Sequence, residues 1–122
     1  MAEDRIIIPP EEAAKDCARR VAERLASMTI DDYNMALEAR LLEVRSDRGY
    51  TDRDPSEYYN STVPRWAQDA RDWVAFRDRV MLYGLQVLNE YRRTGTAPMS
   101  YDEFAAALAG MDCQWTFDET GA

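Results

Sequence analysis

Side chains able to do acid-base or nucleophilic chemistry are numerous in this sequence but poorly placed for it. The 122 residues include 23 Asp or Glu and two Cys, with no His. Without imidazole there are no Ser/His/Asp or Cys/His relays, no His-ligated metals and none of the usual pH switches. Two suitably spaced carboxylates can hydrolyse a glycosidic bond without His. No such pair stands out here, and each acidic residue reads as a helix cap or part of a solvated helix face. Asp52-Arg53-Asp54 begins like a calcium loop, but Pro55 follows at once and Glu57 stands where a glycine must turn the chain. Cys17 and Cys113 have neither CxxC nor metal-type spacing and read as unpaired thiols of a reducing compartment. No neighbouring motif lowers the pKa of either thiol. The five glycines form no GxG and no P-loop, so nucleotide phosphates find no backbone cradle. Asn60-Ser61-Thr62 matches the glycosylation sequon, but no signal peptide or transit sequence directs the chain to secretion. The expectation is a non-enzymatic protein without catalytic residues, cofactor or metal.

Contact is the remaining mode of action, and charge narrows the partners. A net charge of -8 repels phosphate backbones and anionic membranes on average, so neither nucleic acid nor membrane is an expected partner. Fourteen of the 15 basic residues are Arg. Arg65, Arg71, Arg77 and Arg79 alternate with Tyr58, Tyr59, Trp66, Trp73, Phe76, Tyr83 and Tyr91, an arrangement that invites a stacking platform for bases or sugars. Asp69, Asp72 and Asp78 match those arginines, so no basic stripe emerges, and core packing is the favoured reading of the rings. No apolar run approaches the ~18 residues of a membrane span.

The elements that must position these residues are helical. Pro9-Pro10 followed by Glu11-Glu12 suits a helix start. Ala14, Cys17, Ala18, Val21, Leu25 and Met28 then recur at three- and four-residue steps, one apolar helical face. Thr29 caps a second helix carrying Ile30, Tyr33, Leu37, Leu41 and Val44, with Gly49 as its stop. Asp54-Pro55-Ser56-Glu57 suggests a short helix, and Pro64 opens the longest element, reaching to Arg93. Its apolar residues, from Trp66 and Trp73 through Met81 and Leu85 to Tyr91, cover a broad arc, which predicts a central helix packed on two sides. Gly84 in its middle predicts a close helix contact. Ser100 and Glu103 form a capping box for a last short helix presenting Phe104, Ala107 and Leu108 inward. The predicted fold is all-α: a single helical domain over 11–110 with three main helices and two short ones, an extended segment 1–10 and a tail 111–122.

Two end segments are the candidate partner-binding elements. Ile6, Ile7 and Ile8 lie outside the first helix, where they either add as a strand to another chain's sheet edge or fold back over the core. Trp115 and Phe117, beside Asp112, Asp118 and Glu119, are either a docking tail or a final strip on the core.

Arg48-Gly49-Tyr50, then Tyr59, then Asn60 through Pro64-Arg65, then Trp73-Val74-Ala75-Phe76-Arg77-Asp78 with Val80 and Tyr83, resemble a small protein family of tailed phages and prophages. The likeness continues through Gly95, Pro98, Ser100, Glu103-Phe104 and Leu108 to Trp115 and covers residues 40 to 115. It implies a role in the tail or tail-fibre region, as an assembly chaperone or minor tail component that binds another phage tail protein, with homo-oligomerisation as a further expectation. It brings no catalytic residues and implies residence in the bacterial host cytoplasm or the virion. The signature residues read as fold determinants. The competing expectation is an acidic phage-encoded inhibitor that mimics nucleic acid and binds a host defence protein.

Overall fold

The structure is a computed structural model, and it describes residues 10–117. Among these residues the regular elements are helices: α1 (Pro10–Ser27), α2 (Ile30–Asp47), a 3-10 helix (Pro55–Tyr58), α3 (Pro64–Thr94) and α4 (Tyr101–Ala109). Among the described residues no helix is long and apolar enough to cross a membrane.

Local chemistry sets most of the boundaries. Thr29 and Asp32 form a reciprocal capping box at the start of α2. At its end Gly49 adopts a φ of 107°, while the Gly49 and Tyr50 amides close on the Ser46 and Arg45 carbonyls. That left-handed turn terminates the helix and throws Tyr50 back towards α3. Asp54 caps the 3-10 helix through the Ser56 amide. Burial pushes the Asp54 carboxyl up, but hydrogen bonds from Ser56 outweigh it and hold the group below its ordinary value. Pro64 begins α3, where its missing N–H costs nothing. Ser100 caps α4 through the Glu103 amide.

α2 and α3 run antiparallel, with Arg48 beside Asp69 at one end and the Tyr91 hydroxyl donating to the Met28 carbonyl at the other. Between them Leu37 lies against Gly84, where an added Cβ would stand 2.8 Å from a Leu37 methyl. The glycine allows the close approach its position predicts. Tyr33, Leu37, Val44, Trp73, Phe76, Val80, Val87 and Leu88 fill the interior. α4 covers one side of the pair through Phe104 and Leu108, with the Phe104 ring edge-on to Tyr33 and stacked on Tyr83. Residues 111–117 then run back without regular structure along α2 and α3.

Two expectations need correction. α1 forms, but its apolar face does not enter the core: Ala14, Cys17, Ala18 and Val21 are exposed, and the Leu25 side chain lies outside the described residues. Small side chains offer little area to bury, and both link residues are committed elsewhere, Met28 to the core and Thr29 to its cap. The long helix packs against α2 and the 3-10 helix, and through Tyr83 and Asp72 against α4 and the tail, but part of its broad apolar arc is left uncovered. Trp66, Met81, Leu82 and Leu85 remain exposed, Leu82 at 61%.

Candidate functional site

Arg48, Tyr50 and Arg65 converge on one buried carboxylate. Asp69 is fully buried on α3. Arg48 donates to it through Nη2 at 2.9 Å and Nε at 3.3 Å, the Tyr50 hydroxyl donates at 2.8 Å, and Arg65 Nε lies 3.6 Å away. The Gly49 turn lets Arg48 and Tyr50 reach the same acid from either side of the glycine. Burial, together with the hydrogen bond to Asp69, pushes the Tyr50 hydroxyl well above the ordinary phenol range. Arg48 and Tyr50 hold the buried Asp69 carboxylate in place, an arrangement that ties the end of α2 to the start of α3.

Arg48 also ties in the tail. It donates to the Phe117 carbonyl at 3.2 Å, and its guanidinium stands 5.2 Å over the Trp115 ring. Trp115 stacks parallel to Trp73 at 6.4 Å between centroids. Asp72 accepts from the Thr116 amide at 2.8 Å and hydroxyl at 2.9 Å, while Arg40 donates to the Met111 carbonyl at 2.8 Å. The described part of the tail is therefore a strip on the core, and Trp115 is half-buried in it. Ile6, Ile7 and Ile8 lie outside the described residues, as do Asp118 and Glu119. Among the other signature residues, Trp73, Phe76 and Val80 are buried, Tyr83 is half-buried on Phe104, and Pro64 opens α3. Tyr59 is exposed, and Arg77 pairs with its neighbour Asp78 at 3.5 Å on the surface, a contact worth less than about 1 kcal/mol.

Sequence reasoning missed Asp69 and Asp72, which read as members of solvated helix faces. Both belong instead to the internal and tail-docking networks. Asp69 lies two residues after Ala67 and one before Ala70, both buried, so its place inside the apolar arc was the available signal.

Cysteine reactivity tests whether the tail is docked. Burial, with the adjoining Asp72 carboxylate, pushes the Cys113 thiol up to about 12. At pH 8 such a thiol is almost wholly protonated and a poor nucleophile. Cys17 is exposed on α1. A chromogenic disulfide reagent is expected to titrate one thiol per native chain promptly and the second only in denaturant. Two prompt thiols would mean that the tail does not sit as described.

Three surfaces remain open. A shallow cleft of about 270 Å³ is walled by Tyr50, Tyr58 and Trp66 beside the loop Gly49 to Arg53. α2 exposes Met35 and Leu42, and α3 exposes Met81, Leu82 and Leu85 along one hollow. α1 stands with every described side chain exposed except the half-buried Asp16. Among the described residues no three Asp, Glu or Cys side chains are grouped as a metal would require. In comparisons with known proteins the chain matches no family model, no curated protein and no solved structure.

Proposed function

We propose that this chain is a non-enzymatic phage or prophage tail-assembly protein that binds another tail component, such as a tail fibre, through its N-terminal arm. The observation that carries the reading is α1: an 18-residue helix whose apolar stripe, Ala14, Cys17, Ala18 and Val21, contributes nothing to the domain's own interior. An amphipathic helix left uncovered by its own domain is suited to a groove on a partner. Arg19 and Arg20 beside the stripe pair with Asp16 and Glu23 of the same helix, so the arm offers a partner an apolar stripe between charge-balanced edges. The likeness of residues 40 to 115 to a phage tail family supplies the biological setting. The host cytoplasm, or the virion if the protein is retained, is the corresponding location.

The nucleic-acid mimic has less support. Acids on the surface are paired with arginines, as in Arg40 with Glu43, Arg53 with Glu57 and Arg93 with Glu90, which breaks up a phosphate-like field.

Co-expression with the product of the adjacent tail-fibre gene tests the proposal. The two are expected to co-purify, and Val21→Glu on α1 is expected to abolish the complex while leaving the thermal transition within a degree or two. No complex with any tail component, or a complex indifferent to V21E, would sink it.

A further inference from the structure

We infer that the cleft walled by Tyr50, Tyr58 and Trp66 takes one neutral pyranose ring of a glycan, stacked on those rings and hydrogen-bonded by Asp52 and Arg53. The cleft shares no lining residue with α1, on which the proposed function rests. Its wall is a run of three neighbouring rings: Tyr50 lies 6.0 Å from Tyr58 at 50°, and Tyr58 lies 5.3 Å from Trp66 at 52°. These rings are held before any ligand arrives. The Tyr50 hydroxyl donates to the buried Asp69 at 2.8 Å, Tyr58 ends a 3-10 helix that begins at the buried Pro55, and Trp66 stands on the first turn of α3. Fixed rings lose little freedom on binding. Trp66 keeps 45% of its surface exposed, so a large aromatic face remains open at the cleft.

The polar edge narrows the ligand. The irregular segment 49–53 lines the cleft beside the rings and brings Asp52 as an acceptor and Arg53 as a donor, both exposed. The ion pair of Arg53 with Glu57 spans 3.8 Å, longer than a hydrogen bond, so it uses none of the guanidinium's donors. At Gly49 a Cβ would meet nothing within 4 Å, which leaves the loop backbone open as well. A matching ligand must donate and accept at neighbouring points and lay an apolar face on the rings. A pyranose does both, through its hydroxyls and its C–H face. Other planar or cationic ligands fit less well. A nucleotide's phosphate would meet the net charge of -8, and a cation drawn to the rings and Asp52 would face Arg53. A polyproline segment accepts hydrogen bonds but its prolines donate none, which leaves Asp52 unmatched. Size points to a single ring, because about 270 Å³ falls below the ~300–1,000 Å³ of pockets that enclose a drug-sized ligand. The rest of the glycan then stays in solvent.

Amide-resolved NMR titration of the full chain tests the inference, with the methyl pyranosides of glucose, galactose, mannose and N-acetylglucosamine as probes. At least one is expected to bind in the millimolar range, with shifts confined to the amides of residues 49–53 and the Trp66 indole N–H. Trp66→Ala is expected to weaken that binding about tenfold or more, whereas Trp66→Phe, which keeps a ring, should retain most of it. Asp52→Ala, on the exposed loop, is expected to weaken it several-fold with an unchanged far-UV spectrum. Val21→Glu should bind the sugar as the parent does, so failure of the arm and failure of the cleft are separable. A disaccharide extending the bound sugar is expected to bind at least as well as the methyl glycoside, and its exclusion would overturn a glycan as the source. No binding of any probe at about 50 mM, or shifts that map away from the cleft, would overturn the inference. So would binding indifferent to both W66A and D52A, or tighter binding of adenosine or a hexaproline peptide than of any sugar.

Discussion

Replacing Arg48 by alanine is expected to lower the stability of the domain by about 3–5 kcal/mol, the usual consequence of stranding one member of a buried ion pair. Asp69 has no route to solvent, and after the change it keeps only the Tyr50 hydroxyl at 2.8 Å and Arg65 at 3.6 Å. For a domain of this size the loss corresponds to a fall in Tm of roughly 10–20 °C. The same substitution removes the cation over Trp115 and the donor to the Phe117 carbonyl, so amide exchange over residues 112–117 should rise before the rest of the domain opens. Adding Asp69→Asn should recover part of the loss, because a buried neutral amide with the Tyr50 hydroxyl beside it costs less than an uncompensated carboxylate. A drop in Tm of less than 3 °C for R48A would show that Asp69 does not tie α2 to α3 as described.

Phe104→Ala is expected to cost a similar amount, about 3–5 kcal/mol, by a different mechanism. Phe104 is fully buried, edge-on to Tyr33 at 5.1 Å and stacked on Tyr83 at 5.6 Å. Truncation to Cβ empties the junction of three helices. α4 has only nine residues, and Phe104 and Leu108 are its buried side chains, so it has little else to hold it. The expected readout is a lower Tm together with early amide exchange confined to residues 101–109. Because Tyr33 also donates to the Met99 carbonyl, Tyr33→Phe should be much milder, about 1 kcal/mol. An F104A protein as stable as the parent would mean that α4 docks by other contacts.

Local signals were legible because the chemistry that carries them is local. The Thr29 cap, the Gly49 stop, Pro64 at the head of α3 and the Ser100 cap act within a turn of their own position. Gly84 was legible for a related reason, since a glycine inside a long apolar pattern leaves few uses besides close approach. Periodicity shows which face of a helix is apolar, but it does not show whether a neighbour is there to cover it. The stripes of α1 and of the outer side of α3 therefore looked like core and are exposed. Asp69 was hidden for the complementary reason: a carboxylate inside an apolar arc needs partners, and Arg48 and Tyr50 lie 21 and 19 residues away. The tail's position on the core likewise depends on contacts such as Thr116 to Asp72, 44 residues apart.

The tail also sets an order of events during synthesis. α2 and α3 acquire Arg48, Tyr50 and Asp69 within 21 residues of one another, and that pairing can form as soon as the segment clears the ribosome. The Trp115 ring that will stack on Trp73 follows it by 42 residues, which at 5–20 residues per second is about 2–8 s later. Throughout that interval the face of Trp73 that Trp115 will cover has no lid. Nascent chains then pass through a period in which an otherwise assembled helix pair displays a bare indole. In a cell making many copies on one message, that interval is when neighbouring chains are most able to join wrongly.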